Sequence, residues 1–221
     1  MQYIAHRGFA DVEPENTIRA LSAAADVADA VEFDVRRCGS GEVVVIHDAT
    51  VDRVTDGTGV VADLSLAEIR ELTVLKSGER IPTLEEALDA LPPTVEISCE
   101  LKEVGIVEDV LAAIEVADLP NRVLCTSFRV DALRAIGERD PAQEIGLLVN
   151  RELDRPVTTA VELGCTMIGA RSWRCLFTRL PDRASAVDLE IHSWKVPNRF
   201  VARALEWRGV DAASVDRPME R

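Results

Sequence analysis

The chain has 221 residues, 47% of them hydrophobic, and an excess of acidic over basic residues gives it a formal net charge of −14. A surface of that sign repels phosphate backbones, which argues against nucleic acid as a partner. No apolar run approaches the roughly 18 residues of a membrane-spanning helix, so we expect no stable membrane insertion.

The composition also bears on the compartment. The first residues contain no basic segment followed by an apolar stretch, so we expect a cytoplasmic protein without a secretory leader. Five widely spaced cysteines without a C-x-x-C pair fit reduced thiols better than disulfides or zinc ligands. Lysine is confined to Lys76, Lys102 and Lys195, and scarce lysine with excess acid is typical of halophilic proteins.

Runs typical of strands alternate with helical patterns along most of the chain. The first run, QYIAH, precedes a helix predicted from about Glu15 to Val27, because Pro14 and an acid mark its start. The runs AVEFDVR and VVVIHD then come close together. Residues 49–80, with their TDGTG turns and one short helix, form a small insertion. A helix, PTLEEALDAL, and a strand, TVEISCELK, follow.

The second half continues the alternation. Its strand-like runs are NRVLCTSF, EIGLLV, TMIGAR, LEIHSW and DAASVDRP, and the charged run RELDR at 151–155 is expected to be a solvated helix face. When VVVIHD is counted with the second strand, the chain has eight strands with a helix after each of the first seven. This pattern predicts parallel strands joined by right-handed crossovers.

Eight such units predict a (β/α)8 TIM barrel, formed as one domain by residues 1–221. A doubly wound open sheet is the alternative, but its usual G-x-G-x-x-G turn is missing. Since only three residues follow Pro218, the last helix is expected to be missing or truncated. A neighbouring element, or a partner subunit in a homo-oligomer, would then cover the exposed strand end.

Acidic residues occupy one face of each of two predicted strands. In AVEFDVR, Glu32 and Asp34 alternate with apolar residues, and in TVEISCELK, Glu100 and Lys102 do the same. We call Glu32, Asp34 and Glu100 the acid triad. Charges enclosed in a barrel must be paired or coordinated, and barrel enzymes keep their sites at the carboxyl ends of strands.

The acid triad suits a hard divalent cation, Ca²⁺ or Mg²⁺, because both prefer carboxylate oxygens. Without an ion, three carboxylates in one small space would repel one another and hold protons. The structural alternative is a buried carboxylate network tied to Arg7 and Lys102.

Histidines and further cations complete the predicted site. His6 and His47 stand at or just beyond strand ends and suit a general acid and a general base. Arg7 and Lys102 suit phosphate binding, the first as a planar fork and the second as a point charge. His192, which precedes Trp194 by two positions, is expected to fill the barrel. A metal ion, two imidazoles and two cations around one cavity indicate a phosphodiester hydrolase.

Short motifs spread over nearly the whole chain resemble those of the glycerophosphodiester phosphodiesterase family. They are HRG at His6, PENT at Pro14, EFDV at Glu32, VIHD through Ile46, ELK at Glu100, TSF at Thr126, W-x-V at Trp194 and VDRP at Val215. They occur in the family's order, and the segment 49–80 resembles the family's insertion in a short form.

The resemblance implies a role for each matching residue. The acid triad matches the metal ligands, and His6 and His47 match the acid/base pair. Residues with the remaining roles are Arg7 and Lys102 on phosphate, Phe128 and Trp194 lining the substrate channel, and Glu15 and Asn16 bracing the loop after the first strand. Asp216, in VDRP, is expected from its position to hold the end of the last strand. One departure is WKVPN in place of Trp-Thr-Val-Asn, which puts Lys195 and Pro197 near the cavity mouth and affects the head-group preference.

The implied activity is hydrolysis of small glycerophosphodiesters to glycerol 3-phosphate and an alcohol such as choline or ethanolamine. One alternative is cleavage of lysophospholipids in the same site, for which a wide apolar channel or a membrane-docking helix is expected. Another is a phospholigand-binding barrel without catalysis. Loss of a histidine or of an acid would mark that third case, and none of these residues is missing.

Overall fold

A computed structural model describes residues 1–150 and 153–219, so the first two residues of the run at 151–155 lie outside the described residues. The strands are β1 (Gln2–Ala5), β2 (Ala30–Arg37), β3 (Val43–Val45), β4 (Glu96–Leu101), β5 (Val123–Ser127), β6 (Ile145–Val149), β7 (Met167–Arg171), β8 (Glu190–Trp194) and β9 (Ala212–Val215). Because β1 pairs in parallel with both β2 and β9, the sheet closes on itself. The predicted (β/α)8 barrel is confirmed, and β3 is an extra strand antiparallel to β2.

The helices alternate with these strands. They are α1 (Ile18–Ala25), α2 (Leu66–Glu71), α3 (Leu84–Asp89), α4 (Val107–Ala117), α5 (Val130–Arg139), α6 (Pro156–Glu162), α7 (Ser172–Phe177), α8 (Leu180–Ser185) and α9 (Arg199–Trp207). The predicted start of the first helix at Glu15 is wrong. Asn16 has a left-handed backbone with φ 58°, and the side chain of Thr17 caps the helix by accepting a hydrogen bond from Ala20 N.

The alternation within β2 shows how the core and the cavity divide the strand between them. Val31, Phe33 and Val35 are fully buried in the main apolar core. Burial of each such side chain contributes roughly 1.5–3 kcal/mol relative to exposure in water. Because side chains alternate across a strand, the same packing turns the two intervening acids, Glu32 and Asp34, into the barrel.

The insertion at 49–80 has a small apolar cluster of its own. The cluster is formed by Cys38, Val44, Ile46, Val51, Val54, Val61, Ile69, Val74 and Ile81. Helix α2 starts in a capping box in which Ser65 and Glu68 each bind the other's backbone N–H. Because Val44 of β3 belongs to this cluster, the packing holds the insertion against β3.

Residues 216–219, which follow β9, contain no helix. That a partner subunit covers this end of the barrel stays a prediction. In the part of the chain that the structure describes, no helix combines the length and apolar character needed to cross a bilayer.

Candidate active site

A tight turn directly after β1 carries the first functional residues. Arg7 and Gly8 have φ of 52° and 74°, a region that favours glycine. A Cβ at Gly8 would lie 2.6 Å from the backbone of Ala20, so only glycine lets the turn press against α1. The backbone N–H of Arg7 donates to Glu32 Oε2 at 2.9 Å. The turn and β2 are therefore held together at the cavity mouth.

The acid triad converges as its strand positions predict. In the pairing of β2 with β4, Asp34 is level with Glu100, and Glu32 is level with Ser98. One carboxylate oxygen from each acid lies within 4.8 Å of the others, and all three side chains are buried. Such a cluster is close enough for its members to bind a single ion.

Asp34 receives most of the neutralising contacts. Lys102 Nζ lies 2.7 Å from Asp34 Oδ1 and also pairs with Glu100. Arg7 Nε lies 3.2 Å from Asp34 Oδ2, and Asn16 donates to that same oxygen at 3.0 Å. Burial opposes the charged carboxylate, but the charges of Lys102 and Arg7 outweigh burial and hold the pKa of Asp34 at about 2.

The other two acids show the opposite effect. Burial and the negative charge of Asp34 raise the pKa of Glu100 to about 7, against the opposing effect of Lys102. Burial and Asp34 also raise the pKa of Glu32. The two cations therefore leave part of the triad's charge uncompensated. Three crowded carboxylates of this kind fit a hard divalent cation, which would replace the protons that they otherwise hold.

His6 is oriented by an acid from the far end of the chain. Its Nδ1 lies 2.6 Å from Asp216 Oδ1, and Lys195 pairs with the same carboxylate. Burial lowers the pKa of His6, but the hydrogen bond with Asp216 and the charge of Glu32 outweigh burial, and the net pKa is raised. With Nδ1 engaged, Nε2 is the ring atom that remains for proton transfer.

His47, just beyond β3, has a matching partner in its neighbour. Its Nδ1 lies 2.6 Å from Asp48 Oδ1, and Arg53 from the insertion pairs with Asp48 as well as with Glu15. Burial and the charge of Lys102 lower the pKa of His47, whereas the charge of Asp34 raises it. The lowering effects are larger, so the net pKa is decreased. The two imidazoles thus have pKa values displaced in opposite directions.

The cavity at the carboxyl ends of the strands has a volume of about 630 Å³. Its lining contains all the predicted catalytic, metal-binding and substrate-binding residues except Asp34, which is buried. Phe128 and Trp194 meet edge to face with ring centroids 5.3 Å apart, and the Arg171 guanidinium lies 4.8 Å from the Trp194 ring centroid. We call Phe128, Arg171 and Trp194 the aromatic wall.

Several residues that line the cavity or contact its histidines were not predicted as functional. Asp216 was expected to hold the end of the last strand, and the structure gives its carboxylate to His6 and Lys195. Asp48 could have been identified from its place directly after His47. Arg53 and Arg171 carry no sequence signal of their own. Glu15 binds Arg7 Nη1 at 2.8 Å, which orients the guanidinium.

The sequence comparisons agree with this geometry. A model of the glycerophosphoryl diester phosphodiesterase family matches residues 6–220. The chain belongs to this family. A glycerophosphodiester phosphodiesterase from Caldanaerobacter subterraneus is 32% identical to it, over 97% of this chain and 93% of that protein.

Solved structures of the same family share the fold. A phosphodiesterase of Oleispira antarctica, in complex with the product sn-glycerol-3-phosphate, is 29% identical with a TM-score of 0.87 and covers 98% of this chain and 93% of its own. A glycerophosphodiester phosphodiesterase of Agrobacterium tumefaciens is 25% identical with a TM-score of 0.87, over 99% of this chain and 97% of its own. The predicted family and its enzyme class, phosphoric diester hydrolase, are confirmed.

Proposed function

We propose that the protein hydrolyses small glycerophosphodiesters to glycerol 3-phosphate and an alcohol, in a reaction that requires one divalent cation, Ca²⁺ or Mg²⁺. His6 and His47 act as the acid/base pair. The observation that carries the proposal is the acid triad, with oxygens within 4.8 Å of one another, flanked by two histidines that each face a carboxylate at 2.6 Å. The relatives named above supply the substrate class.

The opposite displacements of the two pKa values support one order of proton transfer. His47, whose pKa is lowered, is neutral near pH 7 and takes the proton of the attacking oxygen. His6, whose pKa is raised, keeps its proton longer and delivers it to the leaving alcohol. Asp216 and Asp48 fix the ring orientations. A positioned proton transfer typically accelerates a reaction by about 10²–10⁴-fold.

The remaining polar residues bind and neutralise the phosphate. The acid triad would hold the cation, which supplies charge stabilisation at the phosphoryl oxygens when bound. Arg7 and Lys102 line the same cavity and add positive charge beside it. Glu15 and Asn16 keep Arg7 and Asp34 in place, so the charged groups need no rearrangement during the reaction.

Glycerol phosphate release from three diesters tests the proposal. Purified protein is given glycerophosphocholine, glycerophosphoethanolamine or glycerophosphoglycerol with Ca²⁺, with Mg²⁺ or with a chelator. We expect release with at least one cation and loss of release with the chelator. Unchanged release in the chelator would refute the metal requirement, and no release from any diester would refute the substrate class.

A further inference from the structure

Arg171 occupies a distinctive place in the cavity wall. It is the last residue of β7 and is level with Trp194 at the end of β8. Its guanidinium lies 4.8 Å from the Trp194 ring centroid, and its side chain is exposed at the cavity mouth. Phe128 packs against the same indole with an interplanar angle of 87°. The guanidinium therefore faces whatever group enters beside Trp194.

The other cations of the cavity are each matched by a carboxylate. These pairs are Arg7 with Glu15 and Asp34, Lys102 with Asp34 and Glu100, Arg53 with Glu15 and Asp48, and Lys195 with Asp216. Among residues 1–150 and 153–219, no carboxylate forms an ion pair with Arg171. Its positive charge therefore remains uncompensated by those residues, in a chain whose net charge is −14.

This arrangement affects how the aromatic wall interacts with cations and with oxygen acceptors. An indole face attracts ammonium groups through its negative quadrupole, but here the protein's own guanidinium lies within cation–π distance of Trp194. A second cation at that position meets the charge of Arg171. Oxygen acceptors, in contrast, gain from the guanidinium's planar fork of N–H donors.

We infer that Arg171 determines head-group specificity, so that the preferred substrates carry an oxygen-rich alcohol without positive charge, such as a polyol or an anionic alcohol. Quaternary ammonium heads such as choline are the disfavoured class. The inference rests on the proposed function, because it concerns the second alcohol of the same diester. The aromatic wall is formed at the ends of β5, β7 and β8, whereas the acid triad lies on β2 and β4.

The test compares kcat/KM for glycerophosphoglycerol and glycerophosphocholine. The wild-type protein should prefer glycerophosphoglycerol by about tenfold or more, the scale of one desolvated cation–π contact. Arg171→Gln removes the charge and should reduce this ratio to within about threefold of unity. Arg171→Lys keeps the charge and should retain most of the preference. Arg183→Gln, at an exposed arginine of α8 outside the cavity, should leave the ratio unchanged.

Each outcome has a defined meaning. A wild-type protein that prefers the choline diester, which needs no variant to measure, overturns the inference. An unchanged ratio in Arg171→Gln, or an equal loss on both substrates, also overturns it while the proposed function stands. If the wild-type protein releases glycerol phosphate from neither diester, both the inference and the proposed function are refuted. Circular dichroism verifies that each variant is folded, and if Arg171→Gln does not fold, the ratio of Arg171→Met decides instead.

Discussion

The two sides of the cavity carry different kinds of side chain. We call the side formed by β1, β2 and β4 the acid side. It carries the acid triad on neighbouring strands, with one carboxylate oxygen of each acid within 4.8 Å of the others. Arg7 and Lys102 lie on the same side. The aromatic wall carries rings and one guanidinium at the ends of β5, β7 and β8. One small ion needs its ligands within a few ångströms, whereas recognition of a head group can be spread over several strand ends. The predictions below test this division of labour.

The largest effect is expected from loss of a triad member. Glu100→Gln removes a charged oxygen ligand and should lower kcat/KM by more than about 10³-fold through loss of the ion. Glu96→Gln is the matched control, because Glu96 lies on the same strand and is paired with Arg122 away from the cavity. It should retain activity within about threefold. Equal losses in the two variants would show that the strand, not the ion site, is sensitive.

The two histidines proposed as the acid/base pair come next. His6→Ala and His47→Ala should each lower kcat by about 10²–10⁴-fold. In the wild type, the acid limb of the pH profile should report protonation of His47, the proposed base, and the alkaline limb should report deprotonation of His6, the proposed acid. His192→Asn changes the third histidine, which is buried in the barrel, and should cost less than about tenfold if that residue only fills space. Full activity in either alanine variant removes that histidine from the mechanism.

Asp216→Asn separates orientation from catalysis. The hydrogen bond that His6 donates to Asp216 raises the pKa of His6. Because the proposed acid role requires protonated His6, we expect activity to persist to higher pH while this carboxylate is present. The variant should lower kcat by about 10–100-fold and move the alkaline limb to lower pH. Asp182 pairs with Arg208 on the outer surface, so Asp182→Asn should change neither kcat nor the alkaline limb. An alkaline limb that stays in place would contradict the role given to Asp216.

The acid side should also reduce the stability of the metal-free protein. In the folded state the pKa of Glu100 is about 7 against an ordinary 4.5, so the folded chain holds a proton that the unfolded chain has released. The contribution of Glu100 to the free energy of unfolding therefore falls by roughly 3 kcal/mol as pH rises from about 4.5 to about 7.

Thermal unfolding in chelator measures this contribution. Glu100→Gln should match the wild type near pH 4.5 and be the more stable protein once the pH exceeds about 7. Added Ca²⁺ or Mg²⁺ should reverse the order, because only the wild type gains from binding the ion. A wild type that is more stable than the variant in chelator at every pH would contradict the crowding of the triad.

The acid side could be predicted from sequence because its signal is local. Charges alternate with valine, phenylalanine and leucine on two strands, and a period of two specifies which residues point inward. The barrel followed from the alternation of eight strands with helices. The motif around His6 located the first strand's end.

What could not be predicted depends on closure of the barrel. The contact of His6 with Asp216 joins residues 210 positions apart and forms only because β9 pairs with β1. Arg53 reaches Glu15 across 38 positions from the insertion, whose path has no periodic signal. The start of α1 was misplaced because proline and an acid usually begin a helix, whereas Asn16 here adopts φ 58° and binds Asp34.

Titration calorimetry of the metal-free protein with Ca²⁺ and Mg²⁺ tests the central claim most directly. We predict one ion per chain and release of protons near pH 6–7, since the pKa of Glu100 is about 7 without the ion. The binding enthalpy would then change with the ionisation enthalpy of the buffer, and Glu100→Gln would lose both effects. Absence of binding by either cation, or binding that Glu100→Gln leaves unchanged, would contradict the account.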